Sequence, residues 1–374
     1  MSTMQDLTAH REEVEPPHQF QAAFTAHHRR YRALLEDARD ELRALAVPEV
    51  VREHYLSAVV SRPQPAFMLL PIMYLALADA AGGITERHRA YLPWQMLTME
   101  LIALYDDTVD HTPSRSNRPT YPHRHGAASA AALSGFLYST LVDRTLLVLP
   151  AALPLLTRLF ENLCALEVWE HAARYPAISV ASFEAWTRHR CDAVAPVNAY
   201  ALDSALVVHG APRLAPEVHV RFGDLQQDVD DLVNVAEARE SNDENDDLKL
   251  GIVSHPLLAT LRADPSVAEP LAELWRPARE VANPERRGAA VAANPRANSL
   301  HREIIERMKV HGAPATIDKM IVDARASVAA APLELRACLH DFNFSFLDRH
   351  RRLDPRARFE AHARPTEYGR RRQG

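Results

Sequence analysis

The sequence predicts an all-α protein, arranged as a single large helical bundle. The chain has 374 residues but only 11 glycines, and 47% of its residues are hydrophobic. Alanine, leucine, arginine and glutamate dominate, and all four are good helix formers. Few segments alternate between apolar and polar side chains as half-buried strands do. Long apolar-periodic segments joined by short connections are typical of helices that pack side by side.

The predicted elements follow from apolar residues that recur every three to four positions. Gly82 and Gly83 end the second helix, because glycine is the usual residue just past a helix C-terminus. Loops are predicted at residues 113–126, 240–247 and 283–299 from their Pro, Asn, Ser or charged content. The predicted helices span residues 20–60, 66–81, 90–110, 127–149, 154–174, 182–206, 216–238 and 301–348.

The two ends of the chain differ in composition from this helical part. Residues 1–20 are polar and acidic, which predicts a flexible N-terminal arm. Residues 349–374 are rich in arginine and poor in apolar side chains, which predicts a basic, disordered tail. We therefore expect one all-α domain over residues 21–348.

Cysteine use and charge limit the cellular setting. Cys164, Cys191 and Cys338 lie far apart without metal-ligand spacing, which predicts reduced, buried thiols. The N-terminus lacks the apolar core of a signal peptide, and no apolar run reaches the length of a membrane span. We therefore expect a cytoplasmic protein. The net charge of −6 gives no reason to expect a nucleic acid as partner.

Carboxylates at one helix end carry the first chemical signal. The apolar segment at residues 99–105 runs directly into Asp106, Asp107 and Asp110. Residues four apart share a helix face, so Asp106 and Asp110 repel each other unless a cation lies between them. Mg²⁺ prefers carboxylate oxygens and leaves coordination positions for phosphate.

A second acidic segment repeats this arrangement. Asp230, Asp231 and Asn234 also stand near the end of a predicted helix with apolar content. Two such helices that face each other across a bundle would bind a cluster of metal ions. The strongly anionic ligand that such a cluster suits best is a diphosphate.

These motifs resemble those of the class I isoprenoid diphosphate enzymes, which comprise trans-prenyl diphosphate synthases and terpene cyclases of the same fold. The first segment matches the family's Asp-Asp-x-x-Asp, and the Arg-Arg-Gly-x-Pro-Thr that follows aligns with residues 115–120. The family's Phe-Gln-x-x-Asp-Asp-x-x-Asp aligns with residues 226–234, and its Asp-Leu-x-x-Gly-Lys-x-Thr-x-Pro with residues 247–256. The likeness covers residues 67–258, with the motifs in the family's order.

The resemblance implies an isoprenoid synthase-type bundle around a central apolar cavity, and a homodimer. It implies a prenyl diphosphate substrate held through three Mg²⁺ ions, with Mn²⁺ as the other suitable metal. The implied metal ligands are Asp106, Asp107, Asp110, Asp230, Asp231 and Asn234. The side chains implied to hold the diphosphate are Arg115, Arg190, Gln227 and Lys249. The implied catalytic set is Asp106, Asp110, Asp230, Arg115 and Arg190.

The implied chemistry is ionisation of an allylic C–O bond, with metals and basic groups stabilising the departing diphosphate. The carbocation must then be kept from water in an apolar pocket. Positions 101–103, a few residues before Asp106, carry no bulky aromatic side chain, which predicts a substrate of farnesyl length or longer. The expected chain-binding residues are Phe67, Met99, Leu101, Ile102 and Tyr105.

Departures from the family pattern concern the pocket for a second diphosphate. The Gly-Gly-Lys of the elongating synthases is absent around residues 65–71, their histidine is Met99, and their second arginine is Ser116. A diphosphate without cationic partners in a closed site is strongly disfavoured. The sequence therefore favours a terpene cyclase that uses a single allylic diphosphate.

Three alternatives stay open. A trans-prenyl diphosphate synthase could bind isopentenyl diphosphate through other cations, such as Arg62. A prenyltransferase could deliver the cation to a non-isoprenoid acceptor. A non-catalytic partner subunit of a synthase is the third alternative, and two nearly intact metal motifs argue against it. Asn234 is the weak point of those motifs, because a neutral carbonyl binds Mg²⁺ less strongly than a carboxylate does.

Overall fold

Helices account for almost all of the described chain. The structure is a computed structural model, and it describes residues 22–60, 69–110, 112, 114–115, 118–236 and 247–349. The helices are α1 (Ala22–Arg43), α2 (Glu49–Tyr55), α3 (Leu69–Ala81), α4 (Glu86–Val109), α5 (Tyr121–His125), α6 (Ala127–Val148), α7 (Leu153–Ala173), α8 (Val180–Val208), α9 (Pro216–Ala236), α10 (Asp247–Leu250), α11 (His255–Ala263), α12 (Ala268–Arg279), α13 (Arg287–Ala292), α14 (Ala297–Arg307), α15 (Ala313–Ala330) and α16 (Arg336–Arg349). Two short strands, β1 (Ser114–Arg115) and β2 (Arg118–Pro119), pair antiparallel. The all-α prediction is confirmed.

Element boundaries differ from the sequence prediction in several places. The predicted helix over residues 20–60 is interrupted before α2, at a turn that ends in Pro48. The loop predicted at 283–299 is wrong in part, because it contains α13 and the start of α14. Val291 and Ala297 are buried there, so packing stabilises helices that the polar composition does not suggest. The predicted arm at 1–20 and the tail after residue 349 lie outside the described residues.

Two clusters of buried apolar side chains form the core, and α8 belongs to both. Phe183 and Trp186, near the start of α8, pack in one cluster with Trp275 of α12. Tyr200 and Leu206, further along α8, pack in the larger cluster with side chains of α3, α4 and α9. By length and composition α8 could cross a membrane, but 61% of its apolar window is buried by the rest of the protein. Such burial is that of a core helix, and the cytoplasmic location stays a prediction.

Polar contacts fix α4 against α8. The backbone N–H of Thr85 donates to His88 Nδ1 at 3.1 Å, and His88 Nε2 lies 3.1 Å from the carbonyl of Ala205. Burial lowers the pKa of His88 to about 4, so the neutral ring can accept at Nδ1 while it donates from Nε2. Gln95 Nε2 also donates to Ser204 Oγ, at 2.7 Å. These bonds set the direction in which the acidic last turn of α4 points.

Gly312 allows two segments of the bundle to approach each other closely. A Cβ atom at this position would lie 2.1 Å from the carbonyl oxygen of Pro256 and 2.5 Å from Thr260 Oγ1. Both partners belong to α11, which therefore packs directly against the backbone of the turn before α15. Protein interiors are close-packed, so neither partner has free space into which it can move.

Gly312→Ala should lower the free energy of unfolding by about 1–3 kcal/mol, the effect of overpacking a close-packed contact. Gly135→Ala in α6 is the matched control, because an added Cβ there meets no atom within 4 Å. That control should stabilise by about 0.5–1 kcal/mol, since alanine has the higher helix propensity. Chemical denaturation measures both, and equal effects of the two substitutions would contradict the close packing at Gly312.

Candidate active site

The first acidic motif lies in the last turn of α4, beside α7. Asp106 and Asp110 are half-buried, whereas Asp107 is fully buried. Asp110 accepts a hydrogen bond at 2.9 Å from Arg174, the residue that follows α7. Glu167 of α7 is close enough to Asp106 and Asp110 for their charges to affect it. The motif is therefore a shared acidic region of two helices rather than the end of one.

Negative charge is crowded between α4 and α7. Burial and then the charge of Asp106 raise the pKa of Asp110 to about 6, although Arg174 acts in the opposite direction. Burial, followed by the charges of Asp110 and Asp106, raises the pKa of Glu167 to about 8. A hard divalent cation would relieve this repulsion and accept these oxygen ligands. The donor set therefore fits Mg²⁺.

The second acidic motif lies on α9, and its side chains differ in their exposure to solvent. Asp231 is buried and accepts hydrogen bonds from Gln227 Nε2 at 2.9 Å and from the backbone N–H of His255 at 2.8 Å. Asp230 and Asn234 are exposed, and their spacing of four residues puts them on one helix face. This exposed pair is the part of the motif that a ligand can reach from solvent.

Asp247, at the start of α10, extends the second motif. Asn234 Nδ2 donates a hydrogen bond to Asp247 Oδ2 at 2.9 Å. Burial and the charges of Asp231 and Asp230 raise the pKa of Asp247 well above its usual range, although Arg190 lowers it. The second motif, like the first, therefore gathers carboxylates that repel one another.

Arg190 of α8 and Glu170 of α7 join the two motifs. Arg190 contacts Glu170 Oε2 and Asp231 Oδ1, each at 3.3 Å. Burial lowers the pKa of Arg190, but these carboxylates outweigh burial and raise it overall. The charge of Glu170 also raises the pKa of Asp110 on one side and of Asp247 on the other. The two motifs therefore converge around a single carboxylate of α7.

A group of ligand-type atoms from α9 and the start of α11 shares Asp231 with the second acidic motif. One atom each from Asp228, Asp231 and His255 lies within 4.8 Å of the others. Lys319 of α15 donates to Asp228 at 2.9 Å and to Asp323 at 2.8 Å, and Asp228 also contacts His255 Nδ1. Because protein cations already compensate this charge, we interpret the group as an ion-pair support for α9 rather than a metal site.

Of the predicted diphosphate and cavity residues, Arg115, Phe67 and Lys249 differ in how far the structure describes them. Arg115 lies in β1, and its side chain is outside the described part of the structure. Phe67 is also outside the described residues. Lys249 is described, and its side chain is buried in α10. The roles of these three residues stay predictions.

The predicted chain-binding residues of α4 lie along its buried length. Leu101 is buried in the larger apolar cluster, and Ile102 packs against that cluster. Met99 and Tyr105 are half-buried. Burial and a contact with Cys164 raise the pKa of Tyr105 to about 12, so its phenol stays protonated near neutral pH. The cavity and the chain length that these side chains would set stay predictions.

Glu167, Glu170 and Arg174 were not identified from the sequence, and Asp247 was identified only as the first residue of a family motif, without a role of its own. The first three stand at spacings of i, i+3 and i+7, which places them on one face of α7 and its end. An acidic pair with a following arginine on one helix face, between two acidic motifs, is the signal that would have found them. Asp247 falls in a run of acidic residues, where sequence alone cannot separate a site residue from a solvated one.

Comparison with protein-family models and with curated proteins finds no match. Solved structures are similar over most of the chain. A decaprenyl diphosphate synthase from Rhodobacter capsulatus has a TM-score of 0.66 and 16% identity, over 87% of this chain and 99% of that chain. A polyprenyl synthase from Caulobacter crescentus CB15, complexed with calcium and isoprenyl diphosphate, has a TM-score of 0.68 and 17% identity, over 88% and 98%. A polyprenyl synthetase from Streptomyces coelicolor A3(2) has a TM-score of 0.63 and 20% identity, over 86% and 99%. The chain therefore has the isoprenoid synthase fold that its motifs imply.

The crowded carboxylates should make the metal-free protein less stable as pH rises. A group whose native pKa exceeds its unfolded pKa binds more protons in the native state, so the free energy of unfolding falls between the two values. For Glu167 this interval runs from about 4.5 to about 8. Glu167→Gln cannot ionise, and it should raise the free energy of unfolding in EDTA near the top of that interval by about 2 kcal/mol. One pKa unit corresponds to about 1.4 kcal/mol, and relaxation around a half-buried group reduces the full effect.

Glu161→Gln is the matched control, because Glu161 is exposed on the same helix. It should leave the pH profile of wild type unchanged. Added Mg²⁺ should stabilise wild type more than Glu167→Gln. A wild-type profile that stays flat through this interval in EDTA would contradict the crowding of charge at the first motif.

Proposed function

We propose that the protein is a magnesium-dependent prenyltransferase that ionises an allylic prenyl diphosphate and works as a chain-elongating prenyl diphosphate synthase. The observation that carries this proposal is the convergence of two acidic motifs around Glu170, in a chain with the isoprenoid synthase fold. The similar solved structures are decaprenyl, polyprenyl and geranylgeranyl diphosphate synthases, which supports elongation over the cyclase that the sequence alone favours.

In the proposed enzyme side chains of α4 and α9 would hold the metal ions. Asp106 and Asp110 serve from α4, and Asp230 and Asn234 from the exposed face of α9. Three bound Mg²⁺ ions, or Mn²⁺ ions in their place, supply Lewis-acid stabilisation of the charge that develops on the leaving diphosphate.

Arginine supplies further positive charge in this site. Arg190 contacts both Glu170 and Asp231. A guanidinium has five N–H donors in a planar fork, so these two contacts leave donors that suit phosphate oxygens. Arg115, which follows the first motif, is the second arginine that we assign to the diphosphate.

A terpene cyclase is the second candidate, and the surroundings of Met99 favour it. Met99 stands where the elongating synthases have a basic residue for their second diphosphate. The next residue, Glu100, is buried and interacts electrostatically with Arg39 of α1. The charge of that arginine is therefore already balanced by a carboxylate. A second diphosphate would need positive charge beyond this pair.

Incubation of the full chain with Mg²⁺ and farnesyl diphosphate, with and without isopentenyl diphosphate, separates the two candidates. The proposed synthase should form longer prenyl diphosphates only when isopentenyl diphosphate is added, because that molecule supplies the nucleophile. Hydrocarbon or alcohol released from farnesyl diphosphate alone would indicate the cyclase. Mass spectrometry of the products decides, and geranyl and geranylgeranyl diphosphate extend the test. Absence of turnover with all three would contradict both candidates.

Asp106→Asn and Asp230→Asn should each lower kcat by at least about a hundredfold, because each removes a carboxylate that would hold the metal ions, and those ions stabilise the leaving group. Both should also weaken the binding of Mg²⁺ with inorganic pyrophosphate, measured by calorimetry. Asp143→Asn, at an exposed position of α6, is the matched control and should behave as wild type. Full activity of either motif variant would remove that carboxylate from the proposed site.

A further inference from the structure

Tyr175 has a backbone conformation that tyrosine rarely takes. Its φ is +62°, and among the described residues it alone has a positive φ without being glycine. The left-handed region brings Cβ close to the following carbonyl oxygen, so a residue with a side chain stays there only when its surroundings hold it. The contacts of Tyr175 must therefore stabilise this conformation.

Both ends of Tyr175 bind one short segment, residues 247–251. Its backbone N–H donates to the carbonyl of Gly251 at 2.9 Å, and its phenol donates to the carbonyl of Lys249 at 2.9 Å. The ring lies directly against Gly251, where an added Cβ would be 2.4 Å from Tyr175 Cδ1. Gly251 itself has a φ of +74°, so this contact requires glycine on two grounds.

Trp275 of α12 completes the hold on this segment. Its Nε1 donates to the carbonyl of Leu248 at 2.8 Å. Its ring meets the ring of Tyr175 edge to face, with centroids 5.9 Å apart. The carbonyls of Leu248 and Lys249 are thus bound by two buried aromatic side chains, and the carbonyl of Gly251 by the backbone N–H of Tyr175. The segment is fixed by its backbone, so its side chains are available for other contacts.

The segment held in this way belongs to the second acidic motif. Asp247 accepts the hydrogen bond from Asn234, and its pKa responds to the charges of Asp230 and Asp231. The residue directly before Tyr175 contacts the first motif, because Arg174 donates a hydrogen bond to Asp110. The two consecutive residues Arg174 and Tyr175 therefore contact the acidic regions of both motifs.

We propose that Tyr175 is a positioning residue of the metal–diphosphate site. It holds the segment at residues 247–251 so that Asp247 and Lys249 keep their places beside the second acidic motif. This role rests on the proposed function. It does not require Tyr175 to touch the diphosphate or the metal.

Calorimetric titration of the full-length protein with MgCl₂ in the presence of inorganic pyrophosphate tests this role. Tyr175→Phe keeps the ring and removes only the donor to Lys249. It should raise the dissociation constant by about three- to tenfold, the effect of losing one buried hydrogen bond. Amide hydrogen exchange over residues 247–256 should also become faster in this variant.

Tyr55→Phe is the matched control, because the buried phenol of Tyr55 donates to the carbonyl of Leu42 at 2.8 Å in the same way. It should lower the melting temperature about as much as Tyr175→Phe while the dissociation constant for Mg²⁺ and pyrophosphate stays within twofold of wild type. Wild-type affinity in Tyr175→Phe, or an equal loss in Tyr55→Phe, would overturn the positioning role and leave the proposed function standing. Failure of wild type to bind Mg²⁺ with pyrophosphate would instead overturn the proposed function, and the role of Tyr175 with it.

Discussion

Negative charge gathered between helices is the constraint on which the arrangement of this site depends. Carboxylates from four elements interact with one another, and the cations described among them are Arg174 and Arg190. A charge that is removed from water is unfavourable unless it is paired, and the pKa values of Asp110, Glu167 and Asp247 are raised accordingly. The carboxylates that interact across the site are Asp106, Asp110, Glu167, Glu170, Asp230, Asp231 and Asp247.

The fold resists this repulsion because hydrogen bonds outside the acidic cluster anchor α4, α9 and α10. His88 and Gln95 tie α4 to α8 through buried hydrogen bonds. Lys319 ties α9 to α15 through Asp228. Tyr175 ties α10 to the end of α7. Side chains that repel one another can therefore be held in place before a cation arrives, and such preorganisation is what electrostatic stabilisation of a leaving group requires.

The sequence predicts the class of the fold and the two acidic motifs, because both depend on local patterns. Asp106 and Asp110 are recognisable from their spacing on one helix. The contribution of α7 is not, since Glu170 gains its role only when the fold brings it to Arg190 of α8 and near the carboxylates of both motifs. The sequence pattern also does not show that Asp230 is exposed while Asp231 is buried. The buried one, Asp231, forms an ion pair with Arg190, which lies on another helix.

Asn234 links the second acidic motif to the segment that follows it in the chain. An amide at this position contributes no charge, and its Nδ2 donates to Asp247. Asp247 belongs to α10, a four-residue helix that is too short to be stable alone. Its position therefore depends on tertiary contacts, and those that bind its carbonyls come from Tyr175 and Trp275. In the proposed enzyme, metal binding at the second motif consequently depends on aromatic residues that never touch the metal.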